Sequence, residues 1–225
     1  MIGSHTRGIT VALAAAIAAA ACSHPSEGAP QPSPQPATSD RGERSAIAGA
    51  RADSARRPYT DADVRFMSGM IGHHAQALVM AGWAPTHGAS PSLRTLAERI
   101  INAQQDEIAT MQQWLRDRNQ PVPEVRAAGM RTMMNGGEHE MLMPGMLTEA
   151  QMTQLDEGKG PEFDRRFLTF MIQHHRGAVT MVKDLFGTNG AAQDKTVFKF
   201  ASDVNVDQST EIARMERMLA ALPDE

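Results

Sequence analysis

"FMSGMIGHHAQALVMA" (Phe66–Ala81) is the most informative stretch of the chain, because a second copy follows as "FLTFMIQHHRGAVTMV" (Phe167–Val182). The offset between the copies is 101 residues at the phenylalanine, at the Met-Ile pair and at both histidines. Within each copy the apolar residues and histidines recur at steps of three and four residues, which is the period of one face of an α-helix. The repeat therefore predicts two helices that each carry adjacent histidines on an apolar face.

The segments that follow each copy are also related, at an offset of 104 residues, so that Gln104 and Glu107 match Gln208 and Glu211. Each half of the chain is thus predicted to be helix, loop, helix, over about residues 60–119 and 161–222. The fold class that follows is all-α, a four-helix bundle with a long Met-rich crossover at residues 122–160. We expect the last three helices at about 91–119, 162–186 and 193–221. Thr148 is a candidate cap for a short helix in the crossover, and no segment has a convincing strand pattern.

The first 57 residues have the composition of an export signal and a linker. Residues 1–22 combine a basic start, an apolar run and small residues, as a secretory signal does. "AAAC", which ends at Cys22, resembles a lipoprotein cleavage site, so lipidation and plain secretion both stay open. Residues 23–57 are rich in Pro, Ser and Ala and predict a disordered tether. We therefore expect an exported protein, periplasmic or at the cell surface, whose helical domain is residues 58–225.

Charge and cysteine content exclude several classes of function. A net charge of −4 and a pI near 6.1 argue against a nucleic-acid partner. The single cysteine excludes an intrachain disulfide and a zinc site built from cysteines. Membrane contact is expected only through a lipid anchor at Cys22, and the sequence leaves the oligomeric state open.

The 16 methionines suit both core packing and soft-metal binding.

The histidine pairs are predicted to meet glutamates in the bundle interior. Glu107 and Glu211 lie on the apolar faces of the second and fourth helices, and a buried carboxylate needs a partner. The contact is either direct, as a structural hydrogen-bond network, or made through a metal ion. The candidate metal ligands in the four helices are His73, His74, His174, His175, Met70, Met171, Met80, Met181, Glu107 and Glu211. A softer capture site is predicted in the crossover, and its candidate ligands are His139 and Met143 together with Met133, Met134, Met141 and Met146.

The donor types indicate which metal is expected. Imidazole suits copper, zinc, iron and nickel, whereas thioether sulfur favours Cu(I). The combination therefore favours copper as Cu(I), with another transition metal as the alternative. Ferritin-like di-iron sites use Glu-x-x-His motifs, and none occurs in this sequence.

The two Met-Ile-x-His-His blocks, the "MPGML" between them and "FDRRFLTFMIQHHRGAVTM" (Phe163–Met181) resemble the family called domain of unknown function 305. The resemblance extends over about residues 61–222. It implies a ferritin-like four-helix bundle exported by bacteria, with copper binding in some members. Met70, His73, His74, Met171, His174 and His175 match the family motif by position. Gln76 stands where the second half has Gly177, so we expect the two halves to bind unequally.

The function expected from the sequence is extracytoplasmic metal binding, most simply the sequestration or transfer of copper. The pattern favours a binding protein over an enzyme. A metal-dependent redox enzyme is one alternative, and it would need an open coordination position on the metal. A metal-free interaction module of the cell envelope is the other.

Overall fold

The computed structural model describes residues 59–126, 130–134 and 137–223, together with Ser45. In this part of the chain the elements are α1 (Asp61–Gly82), α2 (Pro91–Asp117), β1 (Met130–Met134), β2 (Gly137–Met141), α3 (Glu149–Glu157), α4 (Pro161–Gly187) and α5 (Lys195–Ala220). None of the described helices is long and apolar enough to span a membrane. The predictions for residues 1–22 and 23–57 lie outside the described residues, apart from Ser45.

Side-chain caps mark the starts of α1, α3 and α5. Thr60 and Asp63 form a capping box at the start of α1, and Thr148 and Gln151 form another at the start of α3. In each box the two residues satisfy backbone N–H groups that the first helical turn leaves unpaired. Asp194 caps α5 in the same way, by accepting from the backbone of Thr196 and Val197. The predicted short helix with Thr148 as its cap is therefore confirmed.

The four long helices form the predicted bundle from two helix-loop-helix halves. α1 packs on α2, α4 packs on α5, and α1 and α4 pack on each other. Phe66 near the start of α1 shares an apolar cluster with Leu185 near the end of α4. Ala81 at the end of α1 shares a second cluster with Phe163 at the start of α4. The equivalent helices α1 and α4 consequently run antiparallel.

Two buried aspartates connect the halves reciprocally. Oδ1 of Asp63 in α1 accepts the backbone N–H of Ala192 at 2.7 Å, from the loop between α4 and α5. The carboxylate of its counterpart Asp164 accepts the N–H of Ser90, with N–O distances of 3.2 and 3.3 Å, from the loop between α1 and α2. Each half therefore supplies the acceptor for the other half's loop.

The crossover contains a β-hairpin that the sequence pattern did not indicate. β1 and β2 are antiparallel, with Met130 opposite Met141 and Met134 opposite Gly137. The expectation that no strand occurs is therefore wrong for this short segment. The sequence between the strands is Asn135-Gly136. This dipeptide is the one most typical of two-residue hairpin turns, and it is the sequence signal for the hairpin.

Residues Met143–Leu147, the MPGML segment, lie directly against α1 and α4. A Cβ atom placed on Gly177 would lie 1.9 Å from the carbonyl oxygen of Pro144, so only glycine permits this approach. On the other side, Nε2 of Gln76 donates to the carbonyl of Leu147 at 3.0 Å, and the N–H of Leu147 donates to Oε1 of Gln76 at 2.7 Å. Gln76 and Gly177 are equivalent positions of the duplication, and both hold this one segment.

We expect Gly177→Ala to destabilise the protein, because the added methyl group overlaps the backbone of Pro144. Overpacking of this kind costs about 1–3 kcal/mol of the free energy of unfolding, and the contact here is with backbone that cannot rotate away. Urea denaturation followed by circular dichroism measures the change.

Gly82→Ala is the matched control, since a Cβ at this position meets nothing within 4 Å. Removal of a helical glycine there should be neutral or stabilise by up to about 1 kcal/mol. Equal unfolding midpoints for Gly177→Ala and the wild-type protein would show that the MPGML segment does not dock as described.

Candidate metal centre

Polar side chains form one layer across the bundle, between the two apolar clusters. On α1 the histidines follow Met70 of the first cluster and precede Met80 of the second. On α2 the polar positions fall between Ile100 of the second cluster and Ile108 of the first. We call this set the polar layer; it consists of His73, His74, His174, His175, Gln104, Gln208, Glu107 and Glu211. All four histidine side chains in it are 0% exposed.

His73 and His174 lie at the centre of the layer, with ring centroids 3.8 Å apart and planes tilted by 39°. Nε2 of His73 donates to the carbonyl oxygen of Pro144 at 3.0 Å. Nε2 of His174 donates to the backbone carbonyl of His73, also at 3.0 Å. A carbonyl oxygen can only accept, so the proton of each neutral ring is on Nε2 and the lone pair is on Nδ1.

His74 and His175 each face a glutamate, as the sequence predicted. Nε2 of His175 donates to Oε2 of Glu211 at 2.7 Å. Nε2 of His74 lies 2.8 Å from Oε2 of Glu107, but this pair lacks hydrogen-bond geometry. The glutamate side chains are 18% and 20% exposed. They therefore connect fully buried imidazoles to the surface of the bundle.

The second ring nitrogen, Nδ1, is buried and has no hydrogen-bond partner in any of the four histidines. A buried polar atom without a partner costs about 1–3 kcal/mol of folding free energy. Such an atom in duplicate halves is most simply explained by a ligand. Metal-binding histidines commonly anchor one ring nitrogen on a carboxylate or carbonyl and present the other to the metal. The arrangement of the four rings fits that chemistry.

Burial also keeps the two central rings neutral. Loss of hydration lowers the pKa of His73 to about 3, and the neighbouring His74 acts in the same direction. Burial likewise lowers the pKa of His174 well below its ordinary value, with further contributions from His73, His175 and His74. Both rings therefore carry a free lone pair at neutral pH, which a metal ligand requires.

A family model described as domain of unknown function, DUF305, matches residues 63–219. The chain belongs to this family. The resemblance noted from the paired histidine blocks is thereby confirmed.

Solved structures of DUF305 proteins share the fold. A fragment from Deinococcus radiodurans is 29% identical, with a TM-score of 0.59, and the match covers 73% of this chain and 99% of that one. A protein from Streptomyces coelicolor, named as a secreted DUF305 protein, is 27% identical with the same TM-score, over 71% of this chain and 92% of that one. CopM in a Cu(I)-bound form is 28% identical with a TM-score of 0.53, over 72% of this chain and 96% of that one.

A shorter match is to the uncharacterized protein L153 of Acanthamoeba polyphaga mimivirus. It is 38% identical over 56 residues. The match spans 25% of this chain and 37% of the viral protein.

The four methionines predicted as ligands lie on both sides of the polar layer in this DUF305 chain. Met70 and Met181 belong to the first apolar cluster, and Met80 and Met171 belong to the second. Each cluster thus contains two of these four methionines, one from each half. Within the described ranges, no group of three or more His, Cys, Asp or Glu side chains is placed to hold a metal ion.

The crossover residues of the predicted capture site are in different surroundings. Met143 and Met146 are each 5% exposed and pack in the first apolar cluster. His139 lies in β2 opposite Thr132; its side chain is not among those described, and neither are the side chains of Met133, Met134 and Met141. The softer capture site remains a prediction.

The sequence did not indicate the backbone of Pro144 as a partner of His73. It indicated Gln76 as a difference between the halves but not its contact: Gln76 is 4% exposed and holds the adjacent Leu147. The available signal was the difference between the halves of the duplication, glutamine at position 76 and glycine at position 177. A pair of positions that diverges inside an otherwise matching repeat marks a place where the symmetry of the bundle is broken.

We predict that the metal-free protein loses stability as the pH falls below 6.5. The folded pKa of His73 is about 3 against an ordinary value of 6.5, so the unfolded chain binds a proton in that interval and the folded chain does not. The contribution of neutral His73 to the free energy of unfolding is fully present above pH 6.5. It is lost progressively towards pH 3, by up to about 1.4 kcal/mol per pH unit. His174 acts in the same direction. Urea midpoints at about pH 7, 6 and 5 measure the slope.

The double variant His73→Gln/His174→Gln is the control, because it keeps the carboxylates, which also titrate in acid. Its unfolding free energy should depend less steeply on pH than that of the wild-type protein. Parallel slopes for the two proteins would contradict a neutral, buried state of these histidines.

Proposed function

We propose that this DUF305 protein is an extracytoplasmic copper-binding protein that sequesters copper or hands it on. The observation that carries the proposal is the set of four fully buried imidazoles whose Nδ1 atoms have no hydrogen-bond partner. In this proposal His73, His74, His174 and His175 bind copper through Nδ1.

The remaining groups of the layer complete the donor set in the proposal. Glu211 holds His175 through Nε2, and Glu107 lies 2.8 Å from Nε2 of His74 in the equivalent place. A carboxylate in this position fixes the orientation of a ligating ring and raises its basicity. Met70, Met80, Met171 and Met181 supply thioether sulfur from the adjacent clusters. A mixture of imidazole and thioether favours Cu(I) over harder ions.

The relatives support copper and export. CopM, which shares the fold, has been crystallised in Cu(I)-bound, Cu(II)-bound and Ag-bound forms. The Streptomyces coelicolor relative is named as secreted, in agreement with the signal sequence proposed for residues 1–22. A lipid anchor at Cys22 would keep the domain at the membrane surface, and residues 23–57 would be its tether.

The depth of the layer favours sequestration over rapid transfer. The four imidazoles are 0% exposed, and the MPGML segment covers them at Pro144 through the hydrogen bond from His73. Exchange with a partner would require this segment or the two glutamates to move. We therefore expect slow release of bound copper.

An anaerobic Cu(I) competition titration of the full chain tests the proposal. The variant has all four paired histidines changed to glutamine, and circular dichroism checks its helicity. We expect tight binding by the wild-type protein and a loss of at least about tenfold in the variant, because the nitrogen ligands are gone.

His87→Gln is the matched control, since His87 is also buried but both of its ring nitrogens have partners. Its Nδ1 lies 2.9 Å from Oγ1 of Thr86, and its Nε2 lies 2.8 Å from the carbonyl oxygen of Asp156. This variant should bind copper as the wild-type protein does. Equal binding by the fourfold variant would move the copper to the crossover methionines, and no binding by the wild-type protein would refute the copper proposal.

The glutamates give a second test. Glu107→Gln and Glu211→Gln should each lower Cu(I) affinity by about 10- to 100-fold, because loss of such an anchoring group weakens a ligating histidine. The same competition titration measures this. Glu216→Gln is the control, since Glu216 accepts from the exposed Arg176 at 2.7 Å, outside the polar layer, and the variant should leave the affinity unchanged. Unchanged affinity in both layer variants would show that the carboxylates do not serve the metal.

A further inference from the structure

Two buried glutamines of the polar layer lack the hydrogen bonds that their depth requires. Gln104 is 2% exposed, and both Nε2 and Oε1 of its amide are without a partner. Its counterpart Gln208 is 3% exposed, and its Oε1 is without a partner. The unpaired acceptor oxygen is therefore common to both halves.

A third buried glutamine shows that this fold can satisfy an amide at the same depth. Gln76 is 4% exposed, and its amide both donates to and accepts from the backbone of Leu147. An unpaired buried amide lowers the stability of a protein, whereas leucine at the same position would only add apolar packing. Gln104 is thus costly to the fold in a way that Gln76 is not.

The position of Gln104 connects it to the histidines. It precedes Glu107 by one turn of α2, and side chains at this spacing are neighbours on a helix. Oε2 of Glu107 in turn lies 2.8 Å from Nε2 of His74. Gln104 therefore belongs to the same polar group as the first histidine pair.

The first half of the layer has more unpaired atoms than the second. His74 lacks a hydrogen bond at both ring nitrogens, Glu107 lacks one at Oε2, and Gln104 lacks both. In the second half only Nδ1 of His175 and Oε1 of Gln208 are unpaired among the corresponding groups. The first half is therefore better suited to accept a ligand.

We propose that Gln104, and more weakly Gln208, determines the metal preference of the layer by offering its amide oxygen to the bound cation or to a water molecule on that cation. This inference rests on the proposed metal-binding function. An amide oxygen is a harder donor than imidazole or thioether, so it supports Cu(II) more than the soft ion Ag(I). Gln104 widens the range of ions that the layer holds.

The test compares Gln104→Leu and Gln208→Leu with Gln76→Leu in the full chain. The melting temperature is measured without metal, and the affinities for Cu(II) and for Ag(I) are measured by competition. Gln104→Leu should raise the melting temperature by about 3 °C, because an unpaired amide is removed. It should weaken Cu(II) binding by about tenfold and Ag(I) binding by clearly less. Gln208→Leu should change each quantity in the same direction by a smaller amount.

Gln76→Leu is the control for a merely structural glutamine, and its melting temperature should fall because two hydrogen bonds are lost. A fall in the melting temperature of Gln104→Leu would overturn the inference, and so would unchanged Cu(II) affinity. An equal loss for Cu(II) and Ag(I) would refute the role in metal preference. Absence of binding by the wild-type protein would instead refute the proposed function, so the two failures are distinguishable. If Gln104→Leu does not fold, Gln208→Leu gives the same comparison in the second half.

Discussion

Four buried imidazoles have to be held in fixed orientations inside a helical bundle, and the rest of the structure is organised around that constraint. Desolvation makes the charged form of a buried histidine unfavourable, and burial accordingly lowers the pKa values of His73 and His174. The polar layer lies between the two apolar clusters. Two backbone carbonyls and Glu211 accept the Nε2 protons of His73, His174 and His175, so the fold orients the Nδ1 lone pairs of these three rings.

The duplicated sequence gives two equivalent halves but only one crossover, and this mismatch accounts for the differences between them. The MPGML segment can dock only once, so the two equivalent repeat positions differ. Gly177 leaves room for the backbone of this segment, and Gln76 forms hydrogen bonds with it. As a result, His73 donates to the crossover while its counterpart His174 donates to a helix backbone. Gln76 and Gly177 thus differ in how they contact the crossover close to the histidines, and unequal binding by the two halves stays a prediction.

The helices and the contact of histidine with glutamate were predictable from the sequence because both depend on local period and on the repeat. The steps from Phe66 through Met70 to His73 define one helix face, and the same face recurs with Phe167. The docking of Pro144 was not predictable, because it depends on a contact between segments about seventy residues apart. The unpaired amide of Gln104 is likewise a property of the folded interior, since the sequence shows only that a glutamine lies on an apolar face.

The exchange of aspartate acceptors between the halves has a consequence for how the domain opens. Fraying of the loop at Ala192 leaves Oδ1 of Asp63 in the opposite half without its donor, and fraying at Ser90 removes the donor of the Asp164 carboxylate. Opening of either half therefore removes support from the other, which raises the free energy of partial opening towards that of global unfolding. An ion bound in the polar layer as proposed would be retained kinetically as well as by affinity, since neither half could release it by opening alone.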